Sequence, residues 1–170
     1  MNRNKQVSHI AIAGLLTAIG ILIPTMMPIK LILPASTYTL ASHVPVFIAM
    51  FISPQVAIMV ALGTTLGFFM SFPFIVAARA FSHLAFVIPG ALYLQKHKLN
   101  SFKDKFIFNL IVALIHGAAE FGIVALISAK TLNASLLLQF FIFLGLGTIV
   151  HSTVDFILAL SVVDALKLQE

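Results

Sequence analysis

The chain has 170 residues, of which 61% are hydrophobic and 9% charged, with no cysteine and a formal net charge of +5. Soluble domains carry about 25% charged residues, so the composition excludes a soluble enzyme and indicates an integral membrane protein. The lack of cysteine removes disulfides, thiolate metal sites and a cysteine nucleophile.

A membrane-crossing helix needs roughly 20 apolar residues, which leaves room for five or six spans. The expected fold is an all-α integral membrane protein: one substrate-binding domain over residues 1–170, six transmembrane helices and no separate catalytic module. The positive charge does not indicate nucleic-acid binding. The lysines sit in short loops between apolar runs, as membrane topology requires.

The first span is expected over residues 9–23, after a polar lead with Arg3 and Lys5. No small-x-small cleavage site follows it, so it reads as an uncleaved helix. Gly14 and Ala18 place two small residues on one face, which lets another helix approach, either within the bundle or from a partner. Residues 24–40 hold Pro24, Pro28 and Pro34, which forbid a continuous helix. The apolar residues between them predict a segment that folds back on the bundle as a lid, the bland alternative being a surface hairpin with no role.

The second span, 41–53, is short and contains His43 and Pro45. The third, 56–70, carries a second small face at Gly63 and Gly67. The fourth, 74–94, contains Arg79 and His83. After the polar loop 96–105, the fifth span, 106–127, carries His116 and Glu120. The sixth, 135–163, is long enough to tilt or kink near Gly145 and Gly147. No internal repeat is visible.

The basic residues orient these spans. With the N-terminus inside, Arg3, Lys5, Lys96, Lys98, Lys103, Lys105 and Lys167 lie on the cytoplasmic side, against Lys30 and Lys130 outside. Both termini are then cytoplasmic, and the long first loop is extracellular.

Arg79 is the cation that no loop accounts for. An ionisable residue in hydrocarbon needs a partner and marks a functional site by default. It lies about six residues below the outer end of its span, roughly 9 Å deep. Glu120 is at a similar depth on the fifth span. His83 and His116 sit one turn deeper, and His43 is near the outer end of the second span. Tyr38, Ser42, Lys130 and Asn133 line the outer rim. The pattern predicts a pocket open to the outside: Arg79 for a carboxylate, Tyr38 and Asn133 for amides or hydroxyls. The bland alternative is a structural Arg79–Glu120 ion pair. His116 and Glu120, four apart, suggest a metal site or proton relay, but a lone His-x-x-x-Glu is weak. No metal, cofactor or catalytic residue is expected. His151 and Asp155 form another such pair, and the spacing leaves their role open. There is no phosphate-binding Gly-x-x-x-x-Gly-Lys-Ser/Thr loop and no pair of inverted halves.

Three runs carry a resemblance: Gly14-x-x-x-Ala18; residues 34–54, PASTYTLASHVPVFIAMFISP; and Leu62-Gly-Thr-Thr-Leu-Gly-Phe-Phe69 followed by Arg79-Ala-Phe-Ser-His83. Over essentially the whole chain the sequence resembles the substrate-binding S components of energy-coupling factor (ECF) vitamin transporters, the last two runs being most like the pantothenate-type and niacin-type members. Glycine stands where the family's first-span Ala-x-x-x-Ala motif has its first alanine. The resemblance implies a cell-membrane protein that captures a vitamin outside and topples to release it inward. Its partners would be a transmembrane coupling subunit, touched through Gly14 and Ala18, and two cytoplasmic ATPases. The first outer loop would close over the ligand. Pantothenate and nicotinate both offer a carboxylate to Arg79, and the amide and hydroxyls of pantothenate suit the polar spread from Tyr38 to Asn133. Pantothenate is therefore the expected vitamin, with niacin or another B vitamin as the alternative. Two rival readings remain: a stand-alone proton-coupled carrier using Glu120 and the histidines, and an intramembrane enzyme or metal protein built on His116, Glu120, His151 and Asp155.

Overall fold

The computed structural model describes residues 3–33 and 36–168. Pro34, at the head of the 34–54 run, lies outside the described residues, as do both chain ends and the side chains of Arg3 and Lys5. The elements run α1 (Arg3–Met26), β1 (Lys30–Leu33), β2 (Ser36–Thr39), α2 (Val44–Ile52), α3 (Pro54–Ser71), α4 (Phe74–Ser82), α5 (Leu84–Leu94), α6 (Phe102–Ile127), α7 (Ala134–Phe140), a π-helical segment (Phe141–Leu146) and α8 (Gly147–Ala165).

Among the described residues, five stretches are long and apolar enough to cross a membrane: Gln6–Met26, Pro54–Ser71, Phe74–Leu94, Phe102–Ile127 and Ala134–Ala165. Their outward faces expose large apolar side chains such as Leu15, Leu66, Ile111, Val150 and Ile157, as a lipid-facing surface does. The expected second span is the exception. Only nine of its residues are helical, about 14 Å of helix, which is too short to cross alone. The preceding segment is a β-hairpin with Lys30 opposite Thr39 and Leu33 opposite Ser36, so the expected all-α fold contains one small sheet.

The α1–α3 packing explains this. Gly63 faces Thr17 and Gly67 faces Ile21, so the two helices run parallel. The 27–53 connection must therefore carry the chain back across the bundle. It does so half as hairpin and turn, half as helix α2. Here a small-residue face does the packing expected of it. A Cβ on Gly63 would come within 2.6 Å of Thr17 Cγ2, and one on Gly67 would run into Ile21.

Short α2 is almost wholly buried, with Pro45 to Met50 all enclosed. Phe47 meets Phe156 and Phe86 at ring distances of 5.4 and 5.6 Å, and Phe156 meets Phe108 at 5.7 Å. One half of the bundle is thus filled with aromatic carbon. In the other half α2 is missing, and a hollow remains under the hairpin.

Two helices break where the hollow begins. Between α4 and α5 the amide of His83 bonds back to Ala80 rather than to Arg79, because the Ser82 hydroxyl donates to the Arg79 carbonyl at 2.7 Å. In the last span the π-helical segment falls at the glycines where a kink is expected. Its Phe143 carbonyl accepts the Tyr38 hydroxyl. At the far end Ser101 and Asp104 form a capping box on α6, and Lys105 reaches Asp164 on α8 at 3.1 Å.

Gly63→Leu is expected to prise α1 from α3 and lower stability by about 1–3 kcal/mol, as overpacking does. Gly122→Ala, where a Cβ meets open space, is expected to gain about 0.5–1 kcal/mol. Thermal unfolding in detergent micelles compares the two.

Candidate functional site

The hollow is a cavity of about 490 Å³ between the hairpin, the N-terminal end of α2, α3, α4 and α6. Apolar side chains such as Val46, Phe68, Phe72 and Ile75 form most of its wall. The charged groups lining it are Lys30, Arg79 and Glu120: two positive and one negative, hence a net +1 with the histidines neutral.

Arg79 donates from Nη2 to Glu120 Oε2 at 2.9 Å. The side chains are 14% and 3% exposed. The same carboxylate oxygen accepts the Thr148 hydroxyl at 2.8 Å. Arg79 Nε, although buried, has no partner among the described residues. A guanidinium presents five donors in a planar fork, so this one keeps unused hydrogen-bonding capacity beside the cavity.

A second carboxylate organises the turn before α2. Asp155 accepts the backbone amides of Ala41 and His43 at 2.8 and 2.9 Å and pairs with His43 Nδ1 at 3.0 Å. Ala41 has φ 67°, a left-handed conformation that costs a non-glycine residue about 1–2 kcal/mol. The bonds to Asp155 offset that cost. Ser42 Oγ lies 3.1 Å from His151 Nε2 and so ties the turn to α8.

His43 is the hub of four imidazoles. Its ring centroid lies 4.8 Å from His83, 4.6 Å from His116 and 4.9 Å from His151. His83 Nε2 and His116 Nε2 face Glu120 Oε1 at 3.4 and 3.6 Å. His43, His83, His116 and Glu120 each offer a ligand atom within 4.8 Å of the others, and His43, His151 and Asp155 form a second such group.

No family profile and no solved structure matches the chain. A known protein does: the niacin transporter NiaX of Lactococcus lactis subsp. cremoris (strain MG1363) is 42% identical over 171 residues. The match covers 97% of this chain and 77% of NiaX. The chain belongs to the S components of ECF vitamin transporters.

In this S component five of the eight expected ligand-site residues line the cavity: Arg79, His83, Ser42, His43 and Glu120. Three do not. The Tyr38 hydroxyl is engaged by the Phe143 carbonyl. Asn133 is exposed and caps α7 by accepting the Leu136 amide at 2.9 Å. His116 lies wholly buried behind the cavity wall. His43 also moves. Because α2 is half a span, its N-terminus lies inside the bundle beside Glu120's neighbours, not at the rim.

The reading of single residues missed Lys30, Thr64 and His151 in the wall. Lys30 counted only as a topology marker, and His151 had the visible signal of its i, i+4 carboxylate but no sign of Ser42. Gly14 and Ala18 are exposed on α1, and nothing lies within 4 Å of a Cβ built on Gly14. Among the described residues nothing packs on Gly14 at that face.

Asp155→Ala removes the acceptor for two backbone amides and an imidazole. It is expected to cost about 2–5 kcal/mol, read as a lowered midpoint of thermal unfolding. Asn133→Ala, which removes only a surface cap, is expected to cost about 1 kcal/mol or less.

Proposed function

We propose that this S component captures niacin from the outer side of the cell membrane for ATP-driven uptake. The observation that carries the reading is the 42% identity to a niacin transporter along nearly the whole chain. Pantothenate, the expected vitamin, gives way to the alternative. The groups that favoured it, Tyr38 and Asn133, are committed to the protein's own backbone.

The cavity supports an anionic aromatic ligand. Its net +1 wall attracts a carboxylate, the free Nε edge of Arg79 offers it a charge-assisted bond, and Phe68 and Phe72 supply apolar surface for a ring. On this reading the Arg79–Glu120 pair also presets the guanidinium for the ligand. The lysine bias makes the hairpin side extracellular, so the hairpin acts as the lid. The partners are the ECF coupling subunit and its two ATPases. Gly14 and Ala18, on an unpacked face of α1, are the proposed contact with the coupling subunit.

Arg79→Ala is expected to weaken niacin binding by about 2–5 kcal/mol, measured by titration in micelles. Unchanged affinity would leave Arg79 with a structural role alone. Leucine at both Gly14 and Ala18 is expected to abolish uptake in vesicles holding the complete transporter while niacin binding persists. Uptake driven by a pH gradient through this chain alone, with no ATPases present, would overturn the proposal in favour of a proton-coupled carrier.

A further inference from the structure

We infer that His43, His83, His116 and Glu120 form a binding site for a divalent transition-metal ion of the zinc class at the floor of the cavity. The sequence offered His116-x-x-x-Glu120 as a weak metal motif and placed His43 and His83 in the same pocket. The fold brings two more imidazoles to it, from the start of α2 and from the α4–α5 break.

Three observations carry the inference. The first is distance. Metal–ligand bonds of about 2.0–2.1 Å put tetrahedral neighbours about 3.3–3.4 Å apart. His83 Nε2 and His116 Nε2 stand 3.4 and 3.6 Å from Glu120 Oε1. These separations are long for hydrogen bonds and close to the edge of a metal tetrahedron.

The second is an orphan. His116 Nε2 has no hydrogen-bond partner among the described residues although the residue is 0% exposed. Its other nitrogen, Nδ1, lies 3.1 Å from Ser152 Oγ. With Nδ1–H donating to Ser152, the Nε2 lone pair faces a carboxylate oxygen inside the protein. Two electron-rich atoms face each other there, and a cation between them would bond both.

The third is the outer shell. Metal-bound histidines hand their second nitrogen to a carboxylate, carbonyl or hydroxyl, and metal-bound carboxylates are themselves hydrogen-bonded. His43 gives Nδ1 to Asp155 at 3.0 Å, leaving Nε2. His116 gives Nδ1 to Ser152. Glu120 gives Oε2 to Arg79 and Thr148, leaving Oε1. Each of these three ligands is oriented by the atom it does not offer.

Three neutral imidazoles and one carboxylate, with no thiolate, suit zinc, and also cobalt as its spectroscopic substitute. Four protein ligands make the site closed, so the ion clamps α2, the α4–α5 break and α6 together. Its charge would also add to the attraction of the cavity for an anion. The inference does not depend on which vitamin the cavity takes.

The test uses the whole chain, carried on a histidine-free tag, stripped with chelator in nonionic micelles and titrated with Co2+ and then Zn2+. About one equivalent of Co2+ is expected to bind with the intense visible bands of tetrahedral coordination, and Zn2+ is expected to displace it. Zn2+ is also expected to raise the unfolding temperature. His116→Asn is expected to weaken Co2+ binding at least tenfold, whereas His97→Asn, at an exposed histidine outside the cluster, is expected to leave it unchanged. Weak octahedral Co2+ spectra in the unaltered protein, no thermal shift with Zn2+, or equal Co2+ affinity in the His116 variant would each overturn the site. Niacin titration of the same stripped protein tests the transport reading separately.

Discussion

The ion pair between Arg79 and Glu120 joins α4 to α6 inside an apolar bundle. Burying either charge alone costs several kcal/mol, so each side chain holds the other in place. The pair is not self-sufficient. Thr148 takes part of the carboxylate, two imidazoles crowd its second oxygen, and one edge of the guanidinium is left over. That remainder is what turns a structural contact into a candidate binding group.

Around this pair the bundle divides into two unlike halves. One is close-packed by Phe47, Phe86, Phe108 and Phe156 on and around α2. In the other, the same stretch of chain is a hairpin and a strained turn, and it cannot fill the space a helix would. The cavity follows from that substitution. Asp155 makes it possible, because an acceptor on α8 satisfies the amides of a turn that no neighbouring strand or helix could serve.

Much of this was legible from residue types and depth. Arg79 and Glu120 could be paired because similar distances from two helix ends place them at one level, and the structure puts them 2.9 Å apart. The irregularity at Gly145 and Gly147 was legible for the same reason, since glycine weakens a helix wherever it falls. What stayed hidden depended on contacts between distant parts of the chain. Hydropathy cannot tell the nine helical residues of α2 from a full crossing, because both read as an apolar run. Tyr38 and Asn133 looked like ligand groups because nothing local shows that a carbonyl 105 residues away, or a helix start three residues on, takes them. That His151 joins the other three imidazoles was hidden for the same reason, as the four come from separate segments.

The half-length helix has an evolutionary consequence. Part of the cavity wall, including Lys30, Ser36, Thr39, Ser42 and Val46, sits on the hairpin, the turn at residues 40–43 and the first residues of α2, while Arg79, Phe68 and Glu120 belong to the long helices that hold the frame. That short stretch can be rewritten without disturbing the Gly63 and Gly67 seam or the aromatic packing below. A scaffold built this way can vary one part of its cavity wall and leave the exposed Gly14 and Ala18 face of α1 unchanged.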